Sequence, residues 1–251
     1  MPLTFGSLFA GIGGFDLGFE RAGMKCLWQV EINEQAIEVL EKQWPGVRRH
    51  NDVRTWPTVD AERVDVLCGG FPCQDISFSN MRGQGLAGER SGLWFEYERI
   101  IRALRPRYVA IENVAALLVR GLDGVLGSLA GCGYDAEWQT LPASAFGAPH
   151  RRDRVLILAY DASQRRKKGE ALTRSPSQTS REKQDLRLRH WPGRTESGRS
   201  RPDRIRWCPD GQLCRVADGV PDRVDRYRQL GNSIVPQKAE WLGRLIIEDA
   251  V

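Results

Sequence analysis

The stretch TFGSLFAGIGGFDLGFERA, residues 4–22, decides the fold. Residues 4–10 form a compact apolar run that reads as a buried strand. Gly11, Gly13 and Gly14 then make a tight turn, because glycine adopts backbone angles closed to other residues. From Phe15 to Ala22 the spacing becomes helical, with Phe15, Gly18, Phe19 and Ala22 on one face. The same alternation continues outward. Strands are predicted at 24–32, 64–70, 107–113, 134–141 and 154–160. Helices are predicted over 34–43, 93–104, 117–129 and 236–247, with Asn33 capping the first and Pro45 stopping it. Strand and helix in alternation imply an α/β fold with an open, mainly parallel sheet, whose ligands bind beyond the carboxyl ends of the strands. Gly11 to Gly14, Glu31, Asp52, Phe71 to Gln74 and Glu112 all fall there.

The 251 residues, 41% apolar and 27% charged, have the composition of a soluble protein. The length suits one large domain and a small one. No run of about 18 apolar residues occurs, and the N-terminus lacks the basic start of a secretory signal, so a membrane protein is not expected. Six cysteines without a C-x-x-C pair argue against a disulfide scaffold and against structural zinc, and point to a reduced, cytoplasmic protein. The net charge of +5 is unevenly placed: residues 161–206 hold 14 basic and 6 acidic groups. That segment is too poor in large apolar residues to build a core. It reads either as a solvated insertion or as an arm for a polyanion.

Five constellations could carry chemistry. The glycine turn with Phe9, Gly11 and Gly13 is weak alone. With Glu31 twenty residues after Gly11, and with Asp52, it suits a nucleoside, the carboxylate accepting from ribose hydroxyls. The spacing is not G-x-G-x-x-G, so a dinucleotide is the poorer reading. Cys73, stiffened by Pro72, sits on a turn at the ligand edge; a lone cysteine is more often a small buried hydrophobe, yet this place favours a thiolate nucleophile. Glu112, ending the adjacent strand, is either a general acid or a helix cap. Arg152 and Arg154, in HRRDR at 150–154, would point together on a strand and bind a base or an anion, or else form a basic surface run. GNSIVP at 231–236 enters the last helix.

Taken in order, SLFAGIGGFDLGFERAG (7–23), VEIN (30–33), NDV (51–53), GGFPCQDISFS (69–79), IENV (111–114), APHRRDRV (148–155) and LGNSIVP (230–236) resemble the DNA cytosine-C5 methyltransferases, especially the short bacterial and phage enzymes. The resemblance covers the chain except about 161–206, and departs at His150, where the family usually has Gln. It implies a Rossmann-like, mostly parallel sheet flanked by helices. Residues 1–160 would form the catalytic and cofactor-binding domain, 161–214 a small, basic, irregular target-recognition region, and 215–251 a hinge with the returning C-terminal helix.

The same resemblance implies roles. Cys73 would add to C6 of a flipped-out cytosine, Glu112 would serve N3, and Arg154, with Arg152 beside it, would hold the base. S-adenosyl-L-methionine would lie on Phe9, Gly11, Gly13, Glu31, Ile32, Asp52, Val53, Gly70, Pro72, Leu93 and Asn232. A lid running from Ser77 to Gly92 would close over double-stranded DNA, with Gln74, Ser77 and Arg90 near the target strand. The implied protein is a cytoplasmic monomer of bacterial or phage origin, without metal or membrane, and with a cognate restriction endonuclease as its natural companion. Two rivals follow. A tRNA cytosine-5 methyltransferase would prefer tRNA in competition with duplex DNA. A silent nucleic-acid-binding relic would have lost Cys73, Glu112 or Arg154, and all three are present.

Overall fold

The computed structural model describes residues 1–56, 61–72, 92–148, 151–164 and 233–250. Seven strands form one sheet: β1 (Thr4–Leu8), β2 (Lys25–Val30), β3 (Arg48–His50), β4 (Val66–Gly69), β5 (Tyr108–Val114), β6 (Tyr134–Leu141) and β7 (Arg154–Asp161). Their spatial order is β3-β2-β1-β4-β5-β7-β6. The pairs from β3 to β5 are parallel, whereas β7 is antiparallel to both β5 and β6. The helices are α1 (Gly14–Ala22), α2 (Glu34–Gln43), α3 (Gly92–Leu104), α4 (Leu117–Arg120), α5 (Leu122–Gly131) and α6 (Pro236–Ala250). The expected α/β sheet with flanking helices is therefore present.

Two features differ from the sequence-based expectation. β3 consists of three basic residues at the sheet edge and gives no alternating signal. The helix predicted over 117–129 divides at Gly121 into α4 and α5. Among the described residues no helix is long and apolar enough to cross a membrane.

The central strands read as unbroken apolar runs because both faces are covered. On β4 and β5, Leu67, Val109 and Ile111 face one way, into a core shared with Tyr97, Ile100 and Ile101 of α3 and Val125 and Leu129 of α5. Val66, Cys68, Tyr108 and Ala110 face the other way, against Phe15 and Phe19 of α1 and Leu242 and Ile246 of α6. Each such fully buried side chain contributes about 1.5–3 kcal/mol. Beneath the glycine turn lies a buried polar knot. Asp16 accepts from Ser7 Oγ at 3.1 Å and from Gln29 Nε2 at 2.7 Å, and burial raises its pKa. The knot fixes the start of α1 against β1 and β2, and so fixes the turn between them.

Candidate functional site

Strand order reverses between β1 and β4, so the helices that follow them diverge and leave a crevice at the carboxyl edge. A cleft of about 640 Å³ opens there. The ends of five strands, β1 to β5, build it. After β1, Phe9 takes the left-handed conformation with φ of 52°, a strain of about 1–3 kcal/mol, and its ring stacks on buried Tyr97. Gly11 follows with φ of 56°, and no heavy atom lies within 4 Å of where a Cβ would stand. The turn therefore presents bare backbone to the cleft.

Glu31 follows β2. Its Oε2 accepts from Gly11 N at 2.7 Å and its Oε1 from Asn33 N at 2.8 Å. Two backbone donors thus lock the carboxylate across the ends of β1 and β2, and its remaining lone pairs stay available to hydroxyl donors. Asn33 itself caps α2, its side chain accepting from Ala36 N at 2.9 Å. Asp52 follows β3 and is held by Arg54, whose guanidinium keeps the carboxyl below its usual pKa.

The third wall comes from β4 and β5. Gly70 lies against Glu112, and a Cβ on it would stand 3.0 Å from the Glu112 carbonyl and 3.2 Å from Oε2. Asn113 Nδ2 donates to Phe71 O at 3.0 Å, tying the chain that leaves β4 to the end of β5. Pro72 thus lines the same cleft as Glu112. Glu112 is 6% exposed, and burial raises its pKa against the opposing pull of Arg154, Arg152 and Lys238. Arg154 Nε approaches Glu112 Oε1 at 3.1 Å. The register explains this meeting. Glu112 pairs with Leu156 and Val114 with Arg154, so the acid and the guanidinium are diagonal neighbours on one face.

Phe9, Gly11, Glu31, Ile32, Asp52, Val53, Gly70, Pro72, Leu93, Glu112 and Arg154 all line the cleft. Gly13 does not; with φ of 82° and a Cβ position 2.4 Å from the Trp44 ring, it serves the turn and its packing. Arg152 also departs from expectation. β7 begins only at Arg154, so strand alternation does not reach Arg152, which has φ of 38° and donates to Ser233 O at 2.5 Å. Its charge still acts on Glu112. Cys73, Gln74, Ser77, Arg90, His150 and Asn232 lie outside the described residues, as do the expected lid before Gly92, most of 161–214 and the hinge up to 232.

The sequence reading missed Arg54, Glu96, Asn113, Ser233 and Ile234 as cleft residues. Glu96 was findable, since it stands one helical turn after Leu93. Ser233 and Ile234 were not, because only tertiary packing brings α6 back.

The cleft fits S-adenosyl-L-methionine in its donor set. The bare turn at Gly11 admits a ligand against the backbone. Glu31 suits a ribose diol, and Glu112 faces the opposite wall.

The sequence model for the C-5 cytosine-specific DNA methylase family matches residues 3–203. Similar curated proteins include the type II methyltransferase M.BsuFI of Bacillus subtilis, 36% identical over 164 residues that cover 64% of this chain and 40% of that protein. M.NlaIV of Neisseria lactamica is 33% identical over 172 residues, covering 62% and 40% respectively. The chain thus spans about two fifths of the length of these relatives. Among solved structures, the Dnmt2 methyltransferase of S. pombe superposes with a TM-score of 0.56 at 22% identity, over 70% of this chain and 55% of that one. A Spodoptera frugiperda DNMT2 mutant superposes at 0.57 and 19%, over 67% and 53%. At these identities the superpositions speak for the fold alone.

Proposed function

Since the chain belongs to the C-5 cytosine-specific DNA methylase family, we propose that it is a DNA (cytosine-5)-methyltransferase acting on a flipped-out cytosine in duplex DNA. One observation carries the reading: buried Glu112, paired with Arg154 at 3.1 Å, shares a cleft with Pro72, next to Cys73, and with the Glu31–Gly11 cradle.

The cofactor is S-adenosyl-L-methionine, held by Gly11 and Phe9 along the turn, Glu31 at the ribose, Asp52, Val53 and Ile32 at the adenine end, Leu93 by packing and Asn232 at the methionine end. When bound, it supplies an electrophilic methyl group. The protein's task is to make cytosine C5 nucleophilic. The Cys73 thiolate adds to C6, and the electron pair displaced from the C5–C6 bond moves through the ring. Glu112 meets that charge at N3 by donating a proton. Burial favours this, because it raises the carboxyl's pKa and so lowers the cost of protonating it. Arg154 holds the base at O2 and positions Glu112. After methylation, loss of the C5 proton to water restores the double bond. The carbon–sulfur bond breaks, the thiolate leaves and the N3 proton returns to Glu112.

A stacked base hides C5 and C6, so the cytosine must leave the helix. Gln74, Ser77 and Arg90 contact the DNA in this account. The positive excess of 161–206 supplies salt-dependent phosphate affinity to a recognition region within 161–214. The protein acts as a cytoplasmic monomer of bacterial or phage origin, and its DNA substrate admits a cognate restriction endonuclease as companion.

Bisulfite sequencing of DNA from an expressing host tests this reading. We expect 5-methylcytosine at one fixed sequence, and a covalent protein adduct on a duplex carrying 5-fluorocytosine at that position. Cys73→Ser removes both signals. Marks no more frequent than in a vector control, with no adduct on any duplex tested, would overturn it.

A further inference from the structure

We propose that Arg54 is a specificity residue at the adenine end of the cleft, competing with the purine's 6-amino group for the Asp52 carboxylate. The inference rests on the cofactor reading given above. Asp52 Oδ1 accepts from Arg54 N at 2.9 Å and from Arg54 Nε at 3.1 Å. Oδ2 accepts from Nε at 3.2 Å and from Nη2 at 2.9 Å. A single residue therefore engages both oxygens with side-chain and backbone donors. Both residues line the cleft.

The backbone here is fixed, and the Arg54 side chain lies on its solvent side. Val53 is buried, and its carbonyl accepts from Arg99 Nη2 at 3.0 Å, which anchors the loop to α3. Thr55 N closes the turn onto Asp52 O at 3.3 Å. The Arg54 side chain is 58% exposed, against 25% for Asp52. The guanidinium is thus a half-exposed donor seated on a more buried acceptor.

An amino group arriving at Asp52 meets lone pairs already engaged by the guanidinium fork. It must displace Arg54 or share a carboxylate whose charge is already neutralised, and either course weakens binding. A keto oxygen at purine C6 meets the opposite situation. A bare Asp52 would repel it, whereas Arg54 donates to it. Arg54 therefore blunts the preference for adenine over hypoxanthine. Exposed ion pairs are individually weak, so removing Arg54 should tighten an adenine ligand about two- to five-fold.

Isothermal titration of the full chain with S-adenosylhomocysteine and with its hypoxanthine analogue, S-inosylhomocysteine, tests this without turnover. We expect Arg54→Met to bind S-adenosylhomocysteine about two- to five-fold more tightly than the parent and the hypoxanthine analogue more weakly. The adenine preference ratio then rises. Arg54→Lys, which keeps the charge and loses the fork, should fall between and guards against a misfolded Met variant. Added salt should narrow the gap by screening the ion pair in the parent. An unchanged or lower ratio in Arg54→Met, with the parent binding normally, would overturn the role of Arg54 and leave the cofactor reading intact. A parent that binds neither ligand would instead remove the cofactor reading, and this inference with it.

Discussion

Replacing Gly18 by Ala tests the packing that brings the last helix to the cleft. Gly18 lies on α1 where α6 crosses it. A Cβ there would stand 2.4 Å from Ala239 Cβ, 2.5 Å from Pro236 O and 2.7 Å from Glu240 N. Two of those atoms are backbone and cannot rotate aside. Ordinary carbon contacts begin near 3.5 Å, so the helices must part by about 1 Å. Overpacking of this kind costs about 1–3 kcal/mol. Alanine returns up to about 1 kcal/mol through its better helix propensity. The net expectation is a loss of about 1–2 kcal/mol, or about 4 °C in Tm for a domain of this size. Gly127→Ala is the control. Gly127 lies in α5 with no heavy atom within 4 Å of its would-be Cβ, so only the propensity acts, and a gain of about 0.5–1 kcal/mol is expected. Urea unfolding at one pH measures both. Because Ser233 and Ile234 line the cleft just ahead of α6, Gly18→Ala should also weaken S-adenosylhomocysteine binding, whereas Gly127→Ala should not. If Gly18→Ala proves as stable as the parent, or if both substitutions shift stability in the same direction, the close α1–α6 crossing is wrong.

Two further outcomes are expected. Glu112→Gln should lower the methylation rate by about 10²–10⁴-fold while leaving cofactor affinity almost unchanged, measured by single-turnover kinetics beside titration calorimetry; a loss in affinity alone would show that Glu112 acts on the cofactor. Lys238 is fully buried, donates to Leu141 O at 2.5 Å, and has its pKa lowered from 10.5 to about 8, chiefly by burial. Above pH 8 the folded lysine sheds a proton that the unfolded chain keeps until about pH 10.5, so the parent should gain stability over that window relative to Lys238→Met, by about 3 kcal/mol; parallel stability–pH curves for the two proteins would refute this.

Much of this architecture can be read from the residues because its signals are local. The apolar runs of β1, β4 and β5, the Asn33 cap and the glycine turn each announce themselves within a few positions. Pairing direction does not. Nothing in RVLILAY says that β7 runs against β5. Separately, Arg152 was read with the strand's alternation, which begins only at Arg154. β3 is three basic residues that become a strand only because β2 offers an edge. Within the cleft, Glu31 and Glu112 were legible as polar groups at strand ends, and Asp52 through the NDV segment. Arg54 was not, because its importance lies in a contact with Asp52 rather than in any spacing.

The reversed strand β7 also makes the separation of Glu112 and Arg154 a discrete quantity. Side chains on paired strands change sides with each residue, so the acid and the guanidinium meet only when the ladder is shifted by an even count. A single residue added within β7 between Arg154 and Leu156 would not nudge Arg154 by a fraction of an ångström; it would turn the side chain to the opposite surface of the sheet. Evolution can lengthen or redecorate the connection that leads into β7, but within the ladder change must come in whole steps of two, and gradual tuning of the pair has to be done by the residues around it.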